Sequence, residues 1–269
     1  MRSVKSLITA GAATLMSTAA FAADMAIAPP PAYAPPPVVE DFGGWYLRGD
    51  IGFSNQRVER LDNALDANNL TSRQNLAFGT AGIFGLGAGY KFNNWFRADV
   101  TGEYRGNSNF FGTDHITYVG GVGVDTYHAT KQEWVVLGNA YVDLGTWWCV
   151  TPFIGAGVGG ARVQIANFTD TNTPTGGVAF GDTTAKWNFA WAAHAGVAYK
   201  VTPNFTVELA YRYLDMGDGL TGDLRTFDGT NNINNPTTFK NITSHDLKLG
   251  VRWNLESPPA YAPPLMRKG

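Results

Sequence analysis

One segment near the C-terminal end restricts the possible fold more than any other. From His245 to Leu255 the chain reads HDLKLGVRWNL. Leu247, Leu249, Val251, Trp253 and Leu255 stand at every second position, with Asp246, Lys248, Gly250, Arg252 and Asn254 between them. A period of two is the mark of a β-strand with one apolar face. At roughly 3.3 Å per residue a tilted strand of this length crosses the hydrocarbon layer of a bilayer, but it also suits one face of a soluble antiparallel sheet. The remainder of the chain has to choose between these environments.

Seven further segments alternate in the same way. Trp45–Phe53 sets Trp45, Leu47, Ile51 and Phe53 against Arg48 and Asp50, and Ile83–Phe92 sets Phe84, Leu86, Tyr90 and Phe92 on one side with Lys91 on the other. Trp95–Arg105 has the clearest pattern, with Phe96, Val100 and Tyr104 interleaved with Arg97, Asp99, Glu103 and Arg105. Trp134–Leu144, Pro152–Val163, Trp187–Tyr199 and Phe205–Leu214 complete the set. The facing of Pro152–Val163 stays open because PFIGAGVGGARV has no clean polar set. Asn93-Asn94 and Val201–Asn204 are tight turns, the second with Pro203 where no ladder donor is needed. Connections alternate in length: 54–82, 106–133, 166–186 and 215–243 are long and polar, and the three between them are short. Four structureless loops of that length count against a compact soluble domain. Long loops at one end and short turns at the other are the pattern of an outer-membrane barrel.

Composition agrees with this choice. Charged residues make up 16% of the chain, against about 25% in ordinary soluble domains, and glycine supplies 32 of 269 residues. A formal net charge of -2 gives no electrostatic case for a nucleic-acid partner. The start of the chain reads as a secretory signal peptide over residues 1–22: Arg2 and Lys5, an apolar run from Leu7 to Phe21, and Ala20-Phe21-Ala22 as a small-x-small cleavage site. An uncleaved anchor is the competing reading, and the run is short for a spanning helix. Residues 23–42 carry APPPAYAPPP, and PPAYAPP recurs in the tail 256–269, so both ends read as stiff extended tethers flanking a barrel of residues 43–255. They are solvated spacers or contacts for a periplasmic partner. Cys149 is the sole cysteine, which rules out an intramolecular disulfide; it is expected as a quiet, partly buried thiol near the periplasmic rim.

In hydrocarbon an unpaired backbone group costs several kcal/mol, so spanning strands must close on themselves. The predicted fold is all-β, an eight-stranded antiparallel up-and-down transmembrane barrel. Its expected lumen set is Arg48, Asp50, Lys91, Arg97, Asp99, Glu103, Arg105, Asp143, Glu208, Arg212, Asp246, Lys248 and Arg252. Its near balance of charge suits ion pairing in a narrow interior. Aromatic residues fall at two levels, as expected for membrane interfaces. Trp45, Tyr90, Phe92, Phe96, Trp147, Trp148, Phe153, Tyr199, Phe205 and Trp253 form a periplasmic belt, and Phe53, Phe84, Tyr104, Trp134, Trp187 and Tyr213 an outer one.

On GWYLRGDIG, NNWFRADVTGEYRG, NAYVDLG, TPFIGAGVG, ELAYRYLDMG and HDLKLGVRW, which sample the chain from Gly44 to Trp253, the sequence resembles the alphaproteobacterial "porin family" surface proteins related to the OmpA-type barrel. The resemblance implies a Gram-negative outer-membrane location with both termini periplasmic. It also implies partnership with membrane lipid and lipopolysaccharide, and with the assembly machinery, which would read Lys248, Gly250, Trp253 and Leu255. Relatives usually stop at a terminal aromatic, whereas here residues 256–269 follow.

Eight strands enclose a space that side chains can fill, so a structural, surface-exposed role with at most a narrow ion path is the leading expectation, and no cofactor is expected. A second reading is adhesion or haem binding by the loops, with His115 and His128 as iron ligands. A third is an outer-membrane enzyme, such as a lipid A deacylase or an omptin-like protease, built on Ser244-His245 with Glu208 or Asp246, which neighbouring strand positions disfavour because their side chains point apart. Gly155–Gly160 matches a dinucleotide fingerprint with no helix after it, and Asp215, Asp218, Asp223 and Asp228 lack calcium-loop spacing, so no metal site is expected.

Overall fold

The computed structural model describes residues 43–63, 71–173, 176–229 and 235–255, all within one compact unit, Glu40–Gly269. The segments read as a signal peptide and as two proline-rich tethers, together with parts of the longer connections, lie outside the described residues.

Among the described residues fourteen strands follow one another: β1 (Gly44–Arg57), β2 (Arg60–Asp62), β3 (Thr71–Phe78), β4 (Ala81–Lys91), β5 (Phe96–Tyr118), β6 (Gly121–Asp143), β7 (Val150–Thr173), β8 (Val178–Gly181), β9 (Thr184–Lys200), β10 (Phe205–Asp215), β11 (Gly219–Leu220), β12 (Leu224–Thr226), β13 (Thr238–Lys240) and β14 (Thr243–Asn254). Eight of them form a ring of antiparallel pairs, β1-β4-β5-β6-β7-β9-β10-β14, and β14 closes it by pairing with β1 from Tyr46↔Asn254 to Arg57↔Thr243. Closure leaves the ring without an edge, the condition for burying peptide groups in lipid. The segment that opened the sequence reading is therefore the closing stave.

The two ends of the ring differ. At the turn end, three short connections join β4 to β5, β6 to β7 and β9 to β10. Asn93 Oδ1 accepts from the backbone N–H of Trp95 and Phe96 in the first, and Val201 N donates to Phe205 O in the last. At the other end, three of the four connections expected as long polar loops, 54–82, 106–133 and 166–186, are largely strand among the described residues, and 215–243 carries only short strands. β5 and β6 run on as a hairpin that turns at Val119-Gly120, and β3 joins the outer side of β5. β7 and β8 continue the sheet to β12, and β11, β13 and β2 form a separate small sheet. The reason is visible in the register: β5 shifts between Arg105 and Ser108 and β7 shifts opposite His128–Thr130, near Asn167 at φ 53°. A β-bulge breaks the sequence period without ending the strand.

The staves alternate as their residues dictate. Leu47, Ile51, Leu86, Val100, Val136, Val158, Leu209, Leu249 and Val251 face outward, while the residues between them face a buried interior. The open case, β7, turns Phe153, Ala161, Val163 and Ile165 inward and Ile154 and Val158 outward. Phe153 therefore belongs to the lumen, not to the aromatic belt. Trp95, absent from the expected belts, is exposed at the turn end, and Cys149 is exposed rather than partly buried. It sits at the tip of a two-residue turn, with Trp148 and Cys149 both at positive φ and Trp147 and Val150 exchanging backbone hydrogen bonds.

Candidate functional site

Side chains from all eight staves meet in the lumen, and their arrangement changes from the turn end upward. At the mouth lies a cavity of about 650 Å³ bordered by Lys91, Asp143, Lys200 and Arg252. Lys91 and Arg252 are only partly buried, unlike the rest of the expected lumen set. Directly above, the Arg97 guanidinium lies 4.1 Å from the Tyr141 ring centre and 4.7 Å from that of Phe153, with Asp143 at 3.2 Å and Glu208 at 3.3 Å. A cation over an aromatic face is attracted by the ring quadrupole, the more so when water is excluded.

The next level centres on Arg48. It donates to Asp50 (2.9 and 3.1 Å), to Asp99 (2.8 Å) and to the Tyr141 hydroxyl (3.0 Å), and Tyr46 donates its hydroxyl to Asp99 at 3.0 Å. Glycine makes room for this crowd. A Cβ on Gly89 would collide with the Tyr46 ring, and one on Gly250 would touch Asp50.

Above it stands the most tightly bonded level. Arg212 donates to both oxygens of Glu103 (2.8 and 2.6 Å) and to Asp246 (2.7 and 2.9 Å); Arg105 donates to both oxygens of Asp246 (2.8 Å each) and to Ser244 (2.6 Å); Lys248 reaches Glu103 at 2.5 Å. Paired, forked geometry of this kind is what lets buried charges persist. Two members were outside the expected set. Lys131 pairs with Glu133 and Gln56, and Glu133 lies 3.1 Å from Arg105. With them seven carboxylates (Asp50, Asp99, Glu103, Glu133, Asp143, Glu208 and Asp246) are ion-paired with the seven cations Arg48, Arg97, Arg105, Lys131, Arg212, Lys248 and Arg252, and Lys91 adds a further cation at the mouth.

Part of the interior is apolar. Val135, Leu137, Ala161, Val163, Ile165, Ala190, Ala192 and Leu214 on β6, β7, β9 and β10 pack beside the ion pairs, and Leu61, Phe110, Phe168, Met216, Leu224, Phe239 and Ile242 continue that core into the cap, the part built by the extended hairpin and the short strands beyond the aromatic level. The lumen is thus part ion-paired and part apolar, with Val135 and Leu137 lying between the Lys131–Glu133 pair and Asn139 on β6, a correction to the uniformly polar interior expected. Val135 and Leu137 face inward, in phase with Asn139 and Tyr141 as alternation on this strand requires, but their apolar character gives no sign of the core they join.

Outside the membrane-spanning segments, two cap carboxylates are perturbed in opposite directions. Burial pushes Asp125 up; the Asn172 amide (2.5 Å) pulls the other way, and Asp114 across the ladder adds to the rise. Asp218 is held below its usual range: partial burial opposes this, but the Asn241 N–H (3.0 Å), Lys240 (3.0 Å) and Lys186 outweigh it.

Other candidate sites do not assemble. Ser244 points inward to Asp246 and Arg105, while His245 points outward with Nδ1 2.6 Å from the Tyr211 hydroxyl. His128 lies opposite Phe111 and His115 opposite Val124, four residues apart along the ladder, or roughly 13 Å. The His128 ring stands edge-on to Phe111 rather than facing His115. Among the assembly-signal residues, Lys248 is bonded within the lumen, Gly250 backs onto Asp50, and Trp253 and Leu255 face outward. Trp45, Tyr90, Phe96, Trp147, Trp148, Tyr199, Phe205 and Trp253 cluster toward the turn end, with Trp45 edge-on to Tyr90 and Phe205 edge-on to Trp253. Phe53, Phe84, Tyr104, Trp134, Trp187 and Tyr213 form the other level, with Tyr104 and Trp134 at 5.1 Å.

A closed ring with an apolar exterior and an ion-paired interior defines an integral membrane β-barrel. The family model described as "Outer membrane protein beta-barrel domain" matches residues 8–254, and the chain belongs to that family. It is 32% identical over 225 residues to an uncharacterized protein of Brucella abortus, covering 75% of this chain and 78% of the relative. It is 30% identical over 187 residues to the outer membrane protein PagN of Salmonella typhimurium, covering 65% and 75%. The crystal structure of Neisserial surface protein A aligns with a TM-score of 0.41 at 19% identity, over 78% of this chain and 96% of that one. The protein is therefore an outer-membrane barrel of a Gram-negative type.

Proposed function

We propose that this protein is a sealed surface barrel whose work is done by its folded cap, with the cap outside the cell and the turn end and both chain termini in the periplasm. The sealed lumen carries the reading. Arg212 and Glu103 join opposite sides of the ring, both are buried, and a continuous apolar core packs beside them. A solute path would have to break several buried ion pairs and cross that core, each costing several kcal/mol. The orientation is supported by the three short turns at one end, since barrels of this family type place short turns in the periplasm. On this reading lipid and lipopolysaccharide surround the staves, the final strand is the segment gripped by the assembly machinery, and the proline-rich ends are free to meet a periplasmic partner.

Two measurements test it. Planar-bilayer recordings of the purified protein should give no large, stable conductance steps; their appearance would remove the sealed lumen. An epitope inserted at Val119-Gly120 should be labelled on intact cells. Labelling only after permeabilisation would reverse the orientation.

Adhesion through the cap is the second reading, favoured by the apolar hairpin tip, where Val119 and Val122 are 85% and 69% exposed. Exposed apolar side chains at a rigid tip suit contact with another surface. Cells expressing Val119→Ser with Val122→Ser should then bind host surfaces less well than wild type at equal surface display. Equal binding would exclude the tip.

A further inference from the structure

We propose that the outward face of β5, β6 and β7 in the cap is a carbohydrate-binding surface that takes the oligosaccharide of lipopolysaccharide molecules packed beside the barrel. The inference rests on the cap facing the exterior. Its starting point is a change of composition along single strands. Below the aromatic level the outward residues are those of a lipid contact, such as Val100, Val136 and Val158. Above it the same face of the same strands carries hydroxyl, amide and imidazole groups before turning apolar again at Val124 and Val122 beside the hairpin tip. Thr113, Thr126 and Thr171 lie in one register row across the three strands, and Phe111 and His128 lie opposite each other in the next.

Height places this face among sugars. Thr126 is eight residues beyond Trp134 on β6, roughly 26 Å of strand, which at a 45° tilt stands well clear of a head-group layer only several ångströms thick. The neighbour at the bottom of the strand is acyl chain, and continuity along the same face makes the neighbour at the top the oligosaccharide carried by those chains. The chemistry fits. Threonine hydroxyls both donate and accept, as sugar hydroxyls require. Phe111 is half exposed and edge-on to His128 at 5.1 Å, an aromatic platform for the C–H face of a sugar ring.

Charge is also sorted by face. Of the two carboxylates in this part of the hairpin, Asp114 is buried and bonded to Ser72 and Gln74, and Asp125 lies opposite it on the inner side, bonded to Asn172. None of the outward residues from Asn107 to Thr117 or from Val122 to Gln132 is acidic, so nothing there repels a phosphorylated core. Lower down, Arg162 sits in register with both Trp134 and Trp187, at the level of anionic head groups.

The test uses the full mature chain in nanodiscs containing phospholipid alone, lipopolysaccharide truncated to its innermost sugars, or lipopolysaccharide with a complete core. Because these discs carry lipopolysaccharide in both leaflets, binding is independent of membrane orientation, and the epitope experiment reports that separately. Threonine methyl resonances of Thr113, Thr126 and Thr171 should shift only with the complete core. Replacing all three by valine keeps strand shape and removes the hydroxyls. Retention of complete-core lipopolysaccharide through purification should then fall at least about fivefold, with retention of the truncated form unchanged. Heat-modifiable migration of the variant shows that it is folded. Equal retention, or equal shifts with the truncated form, would overturn the proposal. So would shifts that follow protein concentration rather than lipopolysaccharide, since they would assign the face to a second copy of the chain.

Discussion

Arg212 on β10 and Glu103 on β5 stand on opposite sides of the eight-membered ring and are joined by two parallel hydrogen bonds of 2.8 and 2.6 Å. The pair is a crossbar. Each partner also serves a second group, Asp246 for Arg212 and Lys248 for Glu103, so removing one leaves buried charge on several staves at once. Arg212→Ala and Glu103→Ala should each destabilise the barrel by about 3–5 kcal/mol. The double variant should fall short of the sum by about 1–3 kcal/mol, the mark of residues in one network. Urea unfolding in lipid vesicles, followed by tryptophan fluorescence, measures this. Additivity would mean that the crossbar is not coupled.

Phe239 makes a separable prediction because it belongs to the cap and not to the barrel. It lies on the short strand β13, fully buried, with ring centres 4.9 Å from Phe110, 6.0 Å from Phe168 and 6.2 Å from Phe78. Phe239→Ala should cost about 3–5 kcal/mol of cap stability. Limited proteolysis of the folded protein should then cut the cap at lower protease concentration, while the heat-modifiable band of the barrel persists. Loss of both together would show that cap and barrel are one cooperative unit.

How much of this was legible in the chain follows from the period-two rule. It works where one face meets lipid and the other meets ion pairs, so Arg97, Asp99, Glu103 and Arg105 could be assigned to the lumen from their spacing. It is less informative where both faces are apolar: on β6 Asn139, Tyr141 and Asp143 set the inward phase and so turn Val136 outward, as observed, but nothing in the pattern shows that Val135 and Leu137 belong to an apolar core continuing beneath the cap. It fails at bulges. The shift after Arg105 disguised the upper half of β5 as a polar loop, and Lys131 and Glu133 were left at that loop's edge although they join the network. An aromatic near a strand end has the pattern of a membrane anchor, which is why spacing alone puts Phe153 in a belt. Only the neighbouring strands reveal that it lies under Arg97.

Two cap carboxylates should respond to acid with opposite sign. Asp218 has a depressed pKa when folded, so its contribution is present above the ordinary carboxylate value and is lost as pH falls through the folded one. Asp125 has a raised pKa, so its charged form weakens the fold. Stability is gained as pH falls through the folded value and is complete below the ordinary one. Asp125→Asn should therefore make the β5–β6 hairpin more resistant to protease at neutral pH, with the advantage over wild type shrinking toward pH 4. Asp218→Asn should weaken the cap at neutral pH and lose its disadvantage on acidification. Parallel pH profiles for the two variants would contradict both assignments.

The turn between β6 and β7 contains a backbone conformation that its residues do not favour. Trp148 at φ 49° and Cys149 at φ 67° form the two central positions of a hairpin turn closed by the Trp147–Val150 backbone bonds. Such turns prefer Asn-Gly, because a Cβ in the left-handed region costs about 1–2 kcal/mol. Cys149 is exposed, with its side chain at the surface, so Cys149→Gly relieves strain without opening a cavity. The variant should be more stable by about 1 kcal/mol, less whatever glycine gains in the unfolded chain. Cys149→Ser, which keeps the Cβ, should leave stability close to wild type. If serine stabilises as much as glycine, the thiol and not the backbone angle is responsible, and the strain assigned to this turn is absent.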